Sequence, residues 1–199
     1  MSQPVIVQKL TEDLVFGSLP HTGKQTVGDI CCGVGHHSVL FALQGFHVTG
    51  IDINAIAIQR AQKNKLKAQA AIEAAGGSLA FICGNVLEDR DISATVGKFN
   101  ILIDSAAYHC FSPVKKSSYV RFLTSLSHMG TRLLFLNLRI TDETTGSGPQ
   151  TCSREEVNET FTQSDWQVDV LEDSVYHHFP MVGEGGPALY ALLSYKSKN

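Results

Sequence analysis

Val27-Gly28-Asp29-Ile30-Cys31-Cys32-Gly33-Val34-Gly35 reads as a short apolar strand that stops at a tight turn. Gly33 and Gly35 carry no Cβ, so a ligand can approach the backbone there. The apolar stretch from His37 to Gln44 reads as a helix whose N-terminus faces the turn. Strand, glycine turn and helix together form a cradle for a nucleotide-like ligand. Downstream, His47-Val48-Thr49-Gly50-Ile51-Asp52-Ile53 reads as a second strand ending at an acid. A carboxylate in that place accepts hydrogen bonds from both hydroxyls of a ribose, so the expected ligand is a nucleoside derivative.

The rest of the chain bounds this reading. Its 199 residues suit one compact domain, and 43% hydrophobic residues are enough for a buried core. A net charge of −3 and a pI near 6.2 offer no basic surface for phosphate backbones, so no nucleic acid partner is expected. Cys31, Cys32, Cys83, Cys110 and Cys152 form no C-x-x-C pair and are odd in number, which favours buried reduced thiols over disulfides or zinc. His36 and His37 are adjacent, and neighbouring side chains diverge on a helix, so no metal site is expected there. Residues 1–20 lack the basic start and apolar core of a signal peptide, and no apolar run is long enough to span a membrane. A cytoplasmic protein with no membrane partner is the expectation.

Strand and helix patterns alternate from Val27 onward, the mark of a parallel sheet covered on both faces. A helix is expected over 55–75, ending at Gly76-Gly77, with Lys63, Lys65 and Lys67 on a solvated face. Further strands are expected at 79–83, 99–104 and 132–138, with a helix near 113–126. A helix capped by Ser153, with Glu156 completing a capping box, should run to Thr162. Trp166–Leu171 and Ala188–Tyr195 are two more strands with no helical pattern between them, which predicts an antiparallel hairpin closing an otherwise parallel sheet. Thr141 to Gln150, with Gly146, Gly148 and Pro149, reads as a loop over the site.

The stretch D-I-C-C-G-V-G resembles the first motif of class I S-adenosylmethionine-dependent methyltransferases, usually D-x-G-x-G-x-G. Asp104-Ser105-Ala106-Ala107-Tyr108-His109-Cys110-Phe111 is similar to the D-S-G-x-F-H-C-F stretch of the thiopurine and tellurite-resistance types. The likeness continues through Tyr119, Leu123, Gly130, Gly148-Pro149, Ser153, Glu156, Phe161 and Trp166, nearly the whole chain after Val27. It implies a Rossmann-like three-layer α/β sandwich, a seven-stranded mostly parallel sheet with a C-terminal antiparallel hairpin, and S-adenosyl-L-methionine as cofactor. It implies cofactor contacts at Asp29, Cys31, Gly33, Gly35, Asp52, Ile53, Asn85, Val86 and Asp104. Asp29 falls on the acid that binds the methionine moiety; Asn85 falls on the residue that meets the adenine amino group, with a plain turn asparagine as the alternative and the Val86 N–H within reach of the ring on either reading. Departures are Cys31 for the first motif glycine, Asn100 for an aspartate and Thr131 for a second glycine. Relatives cover the site with a longer N-terminal lid, so residues 1–25 are either an abbreviated lid, with Leu14 to Leu19 in that role, or a segment that leaves the site open to a bulky substrate, and 26–199 is the expected methyltransferase domain.

Enzymes that methylate exocyclic amino groups of nucleobases carry D/N-P-P-Y/F after the fourth strand, and this chain has Asp104-Ser105-Ala106-Ala107. A small-molecule acceptor, a thiol, hydroxyl or similar group, is therefore expected. His109 is the candidate general base, with a histidine satisfied by a loop carbonyl as the alternative. Asp104 is expected to order the substrate or the methionine end, and Tyr108 to pack on the adenine or line the substrate pocket. His177, His178 and Phe179 either close that pocket or form a plain loop, and Arg139 either meets an anionic substrate group or faces solvent. The other functional class open to this sequence is a methyltransferase-like protein that binds the cofactor, or a small ligand, without methyl transfer.

Overall fold

The computed structural model describes residues 3, 6, 8, 25–88, 91–139, 151–177 and 185–196. Strand β1 (Thr26–Ile30) leads through the glycine turn into helix α1 (His36–Ala42), then β2 (His47–Asp52), α2 (Ala55–Ala74) and β3 (Ser78–Cys83). Helix α3 (Asp91–Val96), β4 (Phe99–Ser105), a 3-10 turn (Tyr108–Cys110), α4 (Pro113–Ser125) and β5 (Ser127–Leu138) follow. The chain closes with α5 (Arg154–Thr162), β6 (Trp166–His177) and β7 (Gly185–Tyr195).

One seven-stranded sheet results, in the order β3-β2-β1-β4-β5-β7-β6. Pairing is parallel from β3 to β5, while β7 runs antiparallel between β5 and β6. The β5, β7 and β6 arrangement is the expected terminal hairpin, with β7 as the reversed strand. Apolar residues on both faces make the three layers. Phe41 of α1 and Ile72 of α2 pack with Val27, Val48, Ile101 and Leu134 on one side. Ile92, Tyr119, Leu123 and Phe161 from α3, α4 and α5 pack with Ile30, Ile51, Leu102 and Phe135 on the other. Successive residues of β1 and β4 thus alternate between two cores, which explains why these strands read as continuous apolar runs.

Three elements differ from the sequence reading. The short α3 carries no strong helical period and was not foreseen. Strand β5 begins at Ser127 rather than Arg132: the Phe99–Ser127 pair and the Thr131 Oγ–H bond to the Phe99 carbonyl (2.6 Å) hold this polar stretch onto β4. Strand β6 continues to His177 because every residue from Val170 onward finds a partner on β7, a tertiary pairing that leaves no apolar signature. The helix cap is half as expected. Ser153 Oγ accepts the Glu156 N–H at 3.1 Å, but the Glu156 carboxylate pairs with Lys116 at 2.8 Å.

The strand order reverses between β1 and β4, whose carboxyl ends lie side by side with Ile30 opposite Asp104. That is the place where open α/β sheets bind ligands.

Candidate functional site at the carboxyl edge of the sheet

The turn after β1 is built from left-handed backbone. Gly33 (φ 55°) and Gly35 (φ 75°) adopt it without strain, and a Cβ on Gly35 would stand 2.5 Å from the Phe81 ring. Cys31 also lies there (φ 57°), as does Ala106 after β4 (φ 71°). These two positions are glycine in the motifs resembled above. A Cβ in this conformation crowds the following carbonyl and costs about 1–2 kcal/mol.

Asp52 ties the turn to β2. Its Oδ2 accepts the Gly33 N–H and its Oδ1 the Asn54 N–H, both at 2.8 Å. Each oxygen retains a further lone pair, so the carboxylate can still accept from a diol. Asp29 is 2% exposed and accepts the Ser38 hydroxyl at 2.5 Å. Burial pushes its carboxyl up to about 7, against the pull of the Ser38 hydrogen bonds. Ser38, at the third position of a G-x-G-x-x-G pattern, is thus the donor that makes a buried acid tolerable.

Beside the turn lies a cavity of about 190 Å³, apolar in character, lined by Cys31, Ile53, Asn85, Val86 and, from the β4 side, Ala106, Cys110 and Phe111. Ile53 is 63% exposed and forms one wall. Asn85 Oδ1 accepts the Leu87 N–H at 3.0 Å, so its side chain shapes the local turn. The cysteines are free, but only Cys152 is buried; Cys83 and Cys110 are exposed, contrary to the expectation of buried thiols. Burial nevertheless pushes the Cys31 thiol well above its ordinary range.

Residues after β4 divide between the core and the site. Tyr108 is fully buried. Its ring packs against Tyr119, Phe135 and Phe161, with the Lys116 ammonium 4.8 Å above it, and its hydroxyl meets Thr160 Oγ1 at 3.3 Å. This corrects the expectation that Tyr108 lines an adenine or substrate pocket: an aromatic ring on that side of the 3-10 turn is taken up by the core. Asp104 is fully buried as well. Its Oδ1 accepts from the Ala107 N–H (3.0 Å), the Tyr108 N–H (3.3 Å) and the Asn137 amide (2.9 Å). The Tyr119 hydroxyl faces Asp104 without closing a well-aligned hydrogen bond to its Oδ2. Burial pushes the Asp104 carboxyl up to about 6, with the Asn137 bond opposing it.

His109 is 2% exposed. Its backbone N–H and its Nδ1 both approach Asn137 Oδ1, at 3.1 and 3.0 Å. Burial lowers its pKa, so the imidazole is neutral near pH 7. Its partner is therefore a side-chain amide and not the loop carbonyl weighed above. Arg139 pairs with Asp173 at 3.2 Å, sharing that acid with Arg154 at 2.9 Å. The segments 140–150 and 178–184, which contain the two expected loops over the site, lie outside the described residues; His177 belongs to β6.

Two residues were missed by the sequence reading. Tyr176, from the end of β6, places its hydroxyl 3.2 Å from Ser105 Oγ. Burial raises its pKa, against the Ser105 hydrogen bond, and Asp104, Asp29 and Cys110 add to the rise. Asn137 interrupts the apolar run Leu133–Leu138, and a polar residue inside a buried strand was the signal available for it. Gln3 joins two of these elements. Gln3 donates its backbone N–H to His37 Nε2 (2.8 Å) and its amide to the His177 carbonyl (3.0 Å), and accepts the His177 N–H (2.8 Å). Burial pushes His37 down to about 4, which keeps it neutral and an acceptor. Among the described residues, no group of three or more His, Cys, Asp or Glu side chains is placed to hold a metal.

None of the curated protein sequences matches this chain. Among solved structures, an S-adenosylmethionine-dependent methyltransferase from Methanosarcina mazei superposes with a TM-score of 0.73 at 17% identity, covering 93% of this chain and 98% of the other. Magnesium protoporphyrin IX methyltransferase from Synechocystis, with S-adenosylhomocysteine bound, gives 0.72 at 17% identity over 96% of this chain and 82% of that one. The [4+2]-cyclase SpnF gives 0.68 at 14% identity, with 96% and 82% covered. These likenesses establish the Rossmann-like methyltransferase fold. The family model described as thiopurine S-methyltransferase matches residues 23–185, most of the chain. With the fold and the glycine turn in agreement, the chain belongs to the thiopurine S-methyltransferase family, whose members use S-adenosylmethionine as methyl donor.

Proposed function

We propose that this protein transfers the methyl group of S-adenosylmethionine to a small molecule with a thiol, hydroxyl or similarly nucleophilic acceptor. The observation that carries the proposal is the convergence of turn, acid and cavity at the β1/β4 switch point. Gly33 and Asp52 are bonded to each other, the Asp52 carboxylate keeps lone pairs for a ribose, and the adjoining cavity is lined by Ile53, Asn85 and Val86. These residues fit an adenosyl group. The turn at Cys31, Gly33 and Gly35 and the buried Asp29 are set for the charged methionine end. The bound cofactor supplies an electrophilic methyl on a sulfonium.

The chain's own work is alignment and water exclusion, since in-line displacement gains most from holding two reactants in register. Ser105 and Tyr176, in contact at 3.2 Å, and His109 in the turn after β4 are the groups we assign to the acceptor side. His109, neutral at pH 7, can take a proton from a hydroxyl acceptor as the new bond to carbon forms, whereas an ionised thiol needs no such help. Gln3 bonds to His37 of α1 and to His177 of β6, which supports reading residues 1–25 as a short lid over a domain of 26–199. Small neutral contacts and the net charge of −3 favour a small-molecule partner over nucleic acid. No helix among the described residues is long and apolar enough to cross a membrane.

A second reading, cofactor or ligand binding without methyl transfer, has one specific observation behind it. Cys31 holds a strained left-handed backbone where the motif has glycine, and its thiol lines the cavity. The test is incubation with methyl-labelled cofactor and a panel of thiols, phenols, halide and chalcogen anions. Label transfer to any acceptor supports the enzyme. Tight cofactor binding with no consumption, in the presence of the panel and of a cell extract, overturns it in favour of the second reading.

A further inference from the structure

A buried carboxylate, a side-chain amide and an imidazole lie in a row behind the acceptor side: Asp104, Asn137 and His109. Their order fixes the protons. Asp104 Oδ1, as a carboxylate oxygen, accepts only, so the Asn137 group 2.9 Å away must be the NH₂. The Asn137 oxygen therefore faces the other way, where it meets the His109 backbone N–H at 3.1 Å. That same oxygen lies 3.0 Å from His109 Nδ1, and two acceptors at that distance repel. The proton of the neutral imidazole must then reside on Nδ1. One contact competes: the Leu138 N–H lies 3.3 Å from the same nitrogen and would prefer it bare. The Asn137 contact is shorter, and its oxygen is already oriented by Asp104, so it prevails.

We propose that Asn137 is a positioning residue which, oriented by Asp104, keeps the proton of neutral His109 on Nδ1 and leaves Nε2 as the nitrogen with the free lone pair. The inference deepens the reading of His109 as base and rests on it. Along this row, a proton arriving at Nε2 leaves the Nδ1–H donating to Asn137, so the imidazolium is formed without moving any neighbour. Lys116 of α4 is the opposing charge on this side and disfavours the imidazolium, while the Asn137 oxygen, oriented by Asp104, favours it. Asp104 Oδ1 already accepts three N–H groups, from Ala107, Tyr108 and Asn137, which accounts for Asp104 acting through Asn137 rather than at the reacting atoms.

The test is the imidazole nitrogen spectrum of the full-length ¹⁵N-labelled protein, with the His109 signals identified by their loss in His109→Gln. The wild type should show a protonated Nδ1 and a bare Nε2 at neutral pH. Asn137→Ala should move the proton to Nε2, where the Leu138 N–H can then use Nδ1. Asn137→Asp keeps the volume but sets a second carboxyl against Asp104, so the two share a proton; the remaining negative charge then lies nearer Nδ1 and should raise the His109 titration, so the inference stays testable if the alanine variant does not fold. A wild type protonated on Nε2, an unchanged tautomer in Asn137→Ala, or an unchanged His109 titration in Asn137→Asp would each overturn it. Activity separates the two layers of argument. If the tautomer behaves as stated but His109→Gln methylates a hydroxyl acceptor at the wild-type rate, the base reading fails while the assignment of Asn137 to the tautomer stands.

Discussion

Asp29 is the buried acid on which pH should act most directly. Its carboxyl is raised from 3.8 to about 7, chiefly by burial, so the folded state holds a proton that the unfolded state releases three pH units earlier. Stability from this group is complete below the unfolded value and is lost as pH rises through the folded one. Three units correspond to about 4 kcal/mol, lost at about 1.4 kcal/mol per pH unit between about pH 4 and about pH 7. His37, pushed down to about 4, and His109, also lowered, act in the opposite sense, so the wild-type curve alone mixes the terms. The Asp29→Asn variant separates them. Asparagine matches the protonated acid, and its oxygen can still accept from Ser38. Urea unfolding of both proteins between about pH 4 and about pH 8 should give equal stabilities at the acid end, with the variant ahead by up to about 4 kcal/mol at the alkaline end. The histidine contributions cancel in that difference. A difference that stays flat, or a wild type that gains on the variant as pH rises, would refute the account of Asp29. The same logic expects proton release when the cationic cofactor binds near pH 7, read by calorimetry in buffers of different ionisation enthalpy.

Asp52→Asn should weaken cofactor binding about 10–100-fold, since one charge-assisted bond to the ribose is worth ~1.5–3 kcal/mol. It should also lower stability by about 1–3 kcal/mol, because the amide cannot serve both the Gly33 and Asn54 N–H groups; calorimetry and thermal unfolding report the two effects, and unchanged affinity would remove Asp52 from the site. Cys31→Gly should leave stability within about 1 kcal/mol of wild type, as relief of left-handed strain offsets the added chain entropy, whereas Gly33→Ala should cost about 1–2 kcal/mol by the same unfolding assay. Gln3→Ala removes the side-chain bonds to His177 and loosens the N-terminal segment, so cofactor should dissociate faster in stopped-flow mixing; an unchanged off-rate would show that this segment is not a lid.

The sequence by itself determined the frame. Gly33, Gly35 and Asp52 were legible because a tight turn and a strand-end acid are local matters, and the apolar runs of β1, β2 and β4 announce strands buried on both faces. The terminal hairpin was legible from two strands lacking a helix between them. Asn137 was visible only as an oddity in an apolar run, and Tyr176 not at all. Their roles depend on β5 and β6 meeting the end of β4, which no local period encodes. Tyr108 and His109 show the same limit within one short turn. A motif stretch names both residues, but whether a ring enters the core or faces a ligand is decided by what packs against it. Here Tyr119, Phe135 and Phe161 claim Tyr108, while Asn137, reaching from a strand distant in sequence, claims His109. Covalent order sets which residues can stand at the edge of the sheet, and only the packed neighbours set which way each side chain turns and where its proton sits.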